Sequence, residues 1–197
     1  METIISLKPN MTEGDAVAQF EGRGVAAWAR ALRQGPLRSI ALVHIPFRLF
    51  VVEISNYGRH QRRWLAQDAV TGKFDPYLFQ GELPAEDLLC VPTRNRAPAA
   101  LSWDESQQLL TDKVRRSVFG SGFFRVRDLE IHAKATLPEF HVPYWVGFSG
   151  LRDTPHVAVI DAVRRNFEGS RVCGFVCDWL RNQPRTENRK ARHIALQ

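Results

Sequence analysis

The segment His44-Ile45-Pro46-Phe47 returns later in the chain as His141-Val142-Pro143-Tyr144. Each copy is followed by a second match. Asp68-Ala69-Val70, then three residues, then Phe74-Asp75 answers Asp161-Ala162-Val163, then three residues, then Phe167-Glu168. The step from His to Asp is 24 residues in the first copy and 20 in the second. Two linked signatures in one order point to a diverged tandem duplication, so the fold is expected to be built from two related units.

A chain of 197 residues holds one large domain or two small halves sharing a core. At this size folding buries roughly 70% of the unfolded surface, so neither a metal nor a disulfide is needed for stability. Hydrophobic residues at 44% and charged residues at 24% place the chain among ordinary globular proteins. Three cysteines, an odd number without framework spacing, favour a reducing compartment. Met1 to Asn10 has no basic region followed by a long apolar run, so no signal peptide is expected. The longest apolar run, Ile40 to Ile54, is interrupted by His44, Arg48 and Glu53, which argues against a membrane span. A cytoplasmic protein is the expectation.

The net charge of +6 is unevenly placed. Residues 181–197 carry Arg181, Arg185, Arg189, Lys190 and Arg192 against Glu187, a local charge of +4 that leaves only +2 for the rest. Such a basic tail attracts phosphates, although charge runs are most often solvated ends.

Periodicity predicts a first amphipathic helix over Thr12 to Gln34, weakened by about 1 kcal/mol at each of Gly22 and Gly24 and stopped by Gly35-Pro36. A second helix is expected over Ser102 to Val118, with Ser102 and Glu105 forming a capping box and Leu110, Val114 and Val118 its apolar stripe. A third follows Gly169, where Val172, Phe175, Val176, Trp179 and Leu180 recur at helical spacing. Strands are expected at Leu37–Val43, Phe47–Ile54 and Arg63–Val70, and again at Phe123–Thr136, Val142–Phe148 and His156–Val163. Ser55 to Gln61 reads as a loop and Thr71-Gly72 as a tight turn tied by the Asp68 carboxylate. Pro46 and Pro143 are placed at or near strand starts, where a missing amide breaks no ladder bond. The fold class is therefore α+β: a helix plus about three antiparallel strands, twice, in one pseudo-symmetric body. The divisions are 1–91 for the first unit, 92–101 for the linker, 102–182 for the second unit and 183–197 for a basic tail.

Three constellations carry chemistry. His44 with Asp68 and His141 with Asp161 form a repeated acid–base pairing and also offer metal-ligand donors. The same residues serve equally as fold devices, with Asp closing a turn, and no nucleophile elbow, HExxH, phosphate loop or CxxC pair accompanies them. Cys173 and Cys177, four apart on the third helix, share a face among Val172, Phe175 and Val176 and read as core. Arg59, Arg62 and Arg63 beside Trp64, together with Arg185, Arg189, Lys190 and Arg192, combine cations and an aromatic as a nucleic-acid surface would.

The run Trp64-Leu65-Ala66-Gln67-Asp68-Ala69-Val70-Thr71-Gly72-Lys73 resembles the strand and Asp-x-x-Thr-Gly turn of PepSY-type domains. That resemblance implies a helix paired with a small antiparallel sheet and a binding or inhibitory role. It spans about ten residues, carries over no functional residue, and meets Arg164-Arg165 in place of Thr-Gly in the second copy.

The leading functional expectation is a non-enzymatic binding or assembly module for a protein or small-molecule partner, without cofactor or metal. A nucleic-acid-associated protein is the alternative. An enzyme using His44, Asp68, His141 and Asp161 is the third reading.

Overall fold

Two long strands, one from each half of the chain, run antiparallel through the middle of a single sheet. The computed structural model describes residues 2–22, 24, 32, 35–75, 81, 83–120, 128–136, 138–150 and 156–182. In chain order, β1 (Glu2–Leu7) leads to α1 (Glu13–Glu21), β2 (Leu37–Asn56), β3 (Arg59–Asp68) and β4 (Phe74–Asp75). A 3-10 turn at Ala85–Asp87 precedes β5 (Leu88–Thr93) and α2 (Trp103–Gly120). Then come β6 (Glu130–Ala135), β7 (Phe140–Ser149), β8 (His156–Asp161), β9 (Asn166–Phe167) and α3 (Ser170–Asn182). The strand order is β4-β3-β2-β7-β1-β5, with β6 beside β2 and β8 joining β7 to β9. The protein is thus mixed α+β with a mostly antiparallel sheet.

The two His-x-Pro-aromatic segments pair with each other. On β2 and β7, His44 lies opposite Pro143 and Pro46 opposite His141. Each following hairpin repeats one register: Phe47 faces Asp68, and Tyr144 faces Asp161. Pro143 lies near the start of β7, but Pro46 stands in the middle of β2 rather than at or near a strand start. His44 donates its N–H to Asn95 O and accepts from Ala97 N, so the even-numbered amides of β2 near it point away from β7. The missing Pro46 amide falls where β2 changes outer neighbour from residues 95–97 to β3, and so breaks no ladder bond. The Pro46 and Pro143 carbonyls accept from Ala69 N and Ala162 N, one in each hairpin turn.

The Asp turns also match. The Asp68 carboxylate accepts from the amides of Val70, Thr71 and Lys73, and Asp161 from those of Val163 and Arg164. Gly72 has φ 68°, and a Cβ there would lie 3.0 Å from Leu109 Cδ1. Arg165 holds the corresponding conformation at φ 63° despite its side chain. The expected loop Ser55–Gln61 is instead a hairpin turn of two residues. Tyr57 and Gly58 take φ 54° and 69°, a twist that matches the flanking strands and lets β3 begin at Arg59.

α1 and α2 lie on the same sheet face, and each packs on strands from both halves of the chain. Ser6 of β1 bridges His141 in parallel, which carries α1 to the β7 side. Arg96 bridges His44 in the same way and carries α2 to β2. α1 therefore packs on Trp145 and Ile160 with Ile40 and Leu42, while α2 packs on Phe50, Val52 and Ile54 with Ala133 of β6. Both helices open on capping boxes, Thr12 with Asp15 and Ser102 with Glu105. The opposite sheet face buries Ile45, Phe47, Val142 and Tyr144 under Phe175 and Val176 of α3. The later part of the expected first helix, residues 25–31, and residues 121–127 and 183–197 lie outside the described residues. β1, β5 and β9 had no clear sequence signal.

Candidate functional site

A groove of about 650 Å³ runs between the end of α1, the outer strands of the second half, and the start of α3. It wraps the outer edge of β8, with Gly147 and Ala158 on the α1 side of the sheet and Val157 and Val159 on the α3 side. Phe20 of α1 and Phe167 of β9 form one wall, with ring centroids 5.9 Å apart. Cys173, Gly174 and Cys177 of α3 form the other. The spacing of Cys173 and Cys177 does put both on one helix face, but that face borders the groove and each is half-buried. Cys173 Sγ lies 3.7 Å from Glu168 O. Burial, aided by Cys177 and Glu168, holds its thiol above the ordinary value, so it is protonated at neutral pH. Gly174 has open space at its Cβ position, so the α3 wall is unobstructed there.

His44 and His141 line neither this groove nor the second cavity. They are 3% and 4% exposed and sit on the sheet face away from α3, where β1, β2 and β7 meet. His44 Nδ1 is 3.0 Å from Ser6 Oγ, which also reaches His141 O at 3.2 Å. His141 Nδ1 lies 3.1 Å from Ile5 O. A carbonyl only accepts, so that nitrogen carries the proton and His141 Nε2 is the lone-pair nitrogen. It is buried and has no hydrogen-bond partner among the described residues. Burial and then the nearby His141 push His44 down to about 4. Burial also lowers His141, against the opposing pull of Ile5 O, Glu139 and Glu2. Both imidazoles are neutral at physiological pH.

The carboxylates stand elsewhere. Asp68 bonds within its own turn and borders a cavity of about 20 Å³, room for one water, with Lys73, Tyr144 and Glu168. Lys73 Nζ lies 3.7 Å from Glu168 in that wall. Asp161 is fully buried and takes the amides of Val163 and Arg164. The fold thus brings His44 and His141 together but pairs neither with Asp68 or Asp161 through a hydrogen bond among the described residues. Among those residues no group of three or more His, Cys, Asp and Glu is placed to hold a metal ion.

The basic segment 59–63 is strand, not loop. Arg62 lies opposite Glu53 and stacks over Trp64 at 4.8 Å, while Arg63 bonds Gln61 on the other face. Arg185, Arg189, Lys190 and Arg192 lie outside the described residues. No described helix is long and apolar enough to cross a membrane. The groove residues Phe20, Gly147 and Gly174 were missed from sequence because a glycine opposite an aromatic 127 positions away leaves no local pattern.

The chain matches no protein-family model, and comparison with curated proteins and with solved structures finds no match. The likeness of residues 64–73 to PepSY-type domains is carried by that strand and turn alone.

Proposed function

We propose that the chain is a non-enzymatic binding module made of two diverged copies of one α+β unit, 1–91 and 102–182, joined through 92–101. Its ligand lies in the groove beside α3. The observation that carries this reading is the groove itself: a concave space of about 650 Å³, mostly apolar, with Phe20 and Phe167 in one wall and Glu21, His156 and Glu168 as polar groups. That size and character suit a small, mostly apolar molecule. Duplication is supported by the matched hairpin registers, the two Asp turns and the two capping boxes. The neutral, buried histidines and the turn-bound Asp68 favour structural over acid–base roles. Three free cysteines fit a reducing compartment, and the cytoplasm is the location that goes with the proposal.

The test uses an environment-sensitive apolar dye and one substitution. Gly174→Leu adds a side chain into open groove space and improves helix propensity, so it leaves the fold intact. Dye binding to the native chain that falls at least tenfold in Gly174→Leu supports the groove. Equal dye binding by both proteins removes it.

A further inference from the structure

A second surface, distinct from the groove, gathers positive charge from segments far apart in sequence. Leu109, Lys113 and Arg116 follow one another at helical spacing down one flank of α2. That flank faces the β3–β4 turn: Leu109 approaches Gly72, and Lys113 Nζ lies 4.2 Å over the Phe74 ring. Lys73 sits in the same turn, and Arg171, in the first turn of α3, is near enough to Lys113 to act on its charge, as Lys73 does. Arg63 continues the row. Antiparallel partners share a sheet face, and Arg63 lies opposite Val52, which packs under α2. Arg59, four residues before Arg63, points to that same side, whereas Arg62 opposite Glu53 points to the other.

Charges along this row are weakly balanced. Lys73 pairs with Glu168, but among the described residues Lys113, Arg116 and Arg171 form no ion pair with a carboxylate. Burial of its stem and the nearness of Arg116, Lys73 and Arg171 hold Lys113 below the ordinary lysine value. Residues 1–180 carry a net charge of only +2, so this row is a segregation of charge and not a reflection of composition. The cavity beneath Lys73, about 20 Å³, admits no ring or sugar, so a ligand here lies along the surface. A row of cations along an edge suits a partner with regularly spaced anions.

We propose that the α2 flank, from Arg171 and Lys73 through Lys113 and Arg116 to Arg63 and Arg59, is a track for the phosphodiester backbone of a nucleic acid. Contacts of this kind are independent of base sequence and strongly dependent on salt.

The full chain is titrated into fluorescein-labelled single-stranded and duplex oligonucleotides, with anisotropy read across a salt series. Arg116→Glu/Arg171→Glu is compared with Arg62→Glu, which changes a cation on the opposite face. Thermal melts of each variant verify folding, and Lys113→Gln is a milder second probe. Expected is binding at low salt, about tenfold weaker in the double variant and within about twofold of native in Arg62→Glu. The salt slope should shrink by about 1.4 on single strands or about 1.8 on duplex. Replacing Arg185, Arg189, Lys190 and Arg192 by glutamine should leave the effect of the double variant in place. The track is overturned by absence of binding at low salt, or by equal affinity of the native and double-variant chains. Loss of the variant effect in the tail-neutralised chain overturns it too. So does tighter, equally variant-sensitive binding to anionic lipid vesicles or to polyglutamate.

Discussion

Under α1, Trp145 donates its indole N–H to Met11 O, 3.4 Å away; at the matching place under α2, Arg48 donates to Leu101 O at 2.8 Å. The neighbours change in step. Ala16 of α1 is fully buried in the cluster with Trp145, whereas Ser106 of α2, equally buried, accepts from Arg48 at 2.6 Å. Arg48 also reaches Ser102 O and Glu139 and stacks 4.3 Å from Trp103. Volume is redistributed as well. Phe20 on α1 meets Gly147 on the strand below, while Leu110 on α2 shares a cluster with Phe50. One half keeps the large ring on the helix and the other on the strand, as close packing at fixed volume requires. The lesson is that a helix-on-sheet contact tolerates an apolar or a charged anchor, provided the partners change together.

The largest effect should come from the charged anchor. Arg48→Ala removes the bonds to the Leu101 carbonyl and the buried Ser106 hydroxyl and the ion pair with Glu139, and is expected to lower stability by about 3 kcal/mol. Trp145→Phe removes one long hydrogen bond and should lower it by about 1 kcal/mol. Urea unfolding of the two variants makes the comparison, and equal losses would show that both anchors work alike.

Acid is the next probe, because each half contributes one buried histidine to the same seam. His44 has a folded value of about 4 against 6.5 ordinarily, so the unfolded chain binds its proton first. Stability is therefore full above pH 6.5 and falls as the pH drops toward 4, by about 3 kcal/mol from His44 alone. His141 is lowered as well and adds to the loss in the same direction. Urea midpoints measured from pH 7.5 to pH 4 should show this slope, and His44→Gln should flatten it. An unchanged slope in that variant would place the acid sensitivity elsewhere.

Gly147→Ala puts a Cβ 2.8 Å from the Phe20 ring and should destabilise by about 2 kcal/mol. Adding Phe20→Leu, the residue type used at Leu110, should recover part of that loss. A double-mutant cycle with no coupling would separate the two positions. The smallest expected contrast lies in the turns. Arg165→Gly should stabilise by about 1 kcal/mol by relieving positive φ, whereas Gly72→Ala should destabilise by at least about 1 kcal/mol because Leu109 also crowds the new methyl. Thermal melts of both resolve the signs.

The comparison also shows which parts of the molecule a reader of the chain can foresee. The capping box at Ser102 and Glu105, the Asp68 turn and the apolar stripe of α3 are each specified within a few residues, and each forms as its local pattern implies. Tyr57-Gly58 was less legible, because a tyrosine at positive φ is an unusual turn residue and the segment reads as a longer loop. Pro46 and Pro143 read as lying at or near strand starts; Pro143 is the fourth residue of β7, whereas Pro46 stands mid-strand, where the neighbour of β2 changes. Of the candidate site residues, Asp68 acts in its turn, and the two histidines do meet, yet away from either cavity.

The sequence alone determined the helix caps, the Asp turns, the apolar faces and the repeated His-x-Pro-aromatic signature. These follow from hydrogen bonds and periodicities confined to one or two turns of chain. Tertiary structure alone decided that β2 and β7 pair across that signature, that α1 and α2 each pack on strands of both halves, and that Gly147 opens beneath Phe20. It also decided that Lys73, Lys113, Arg116 and Arg171 stand on one flank. An apolar stripe states that a face must be buried and leaves open against which partner. That choice rests on strand pairings between residues about a hundred positions apart, which no local pattern encodes.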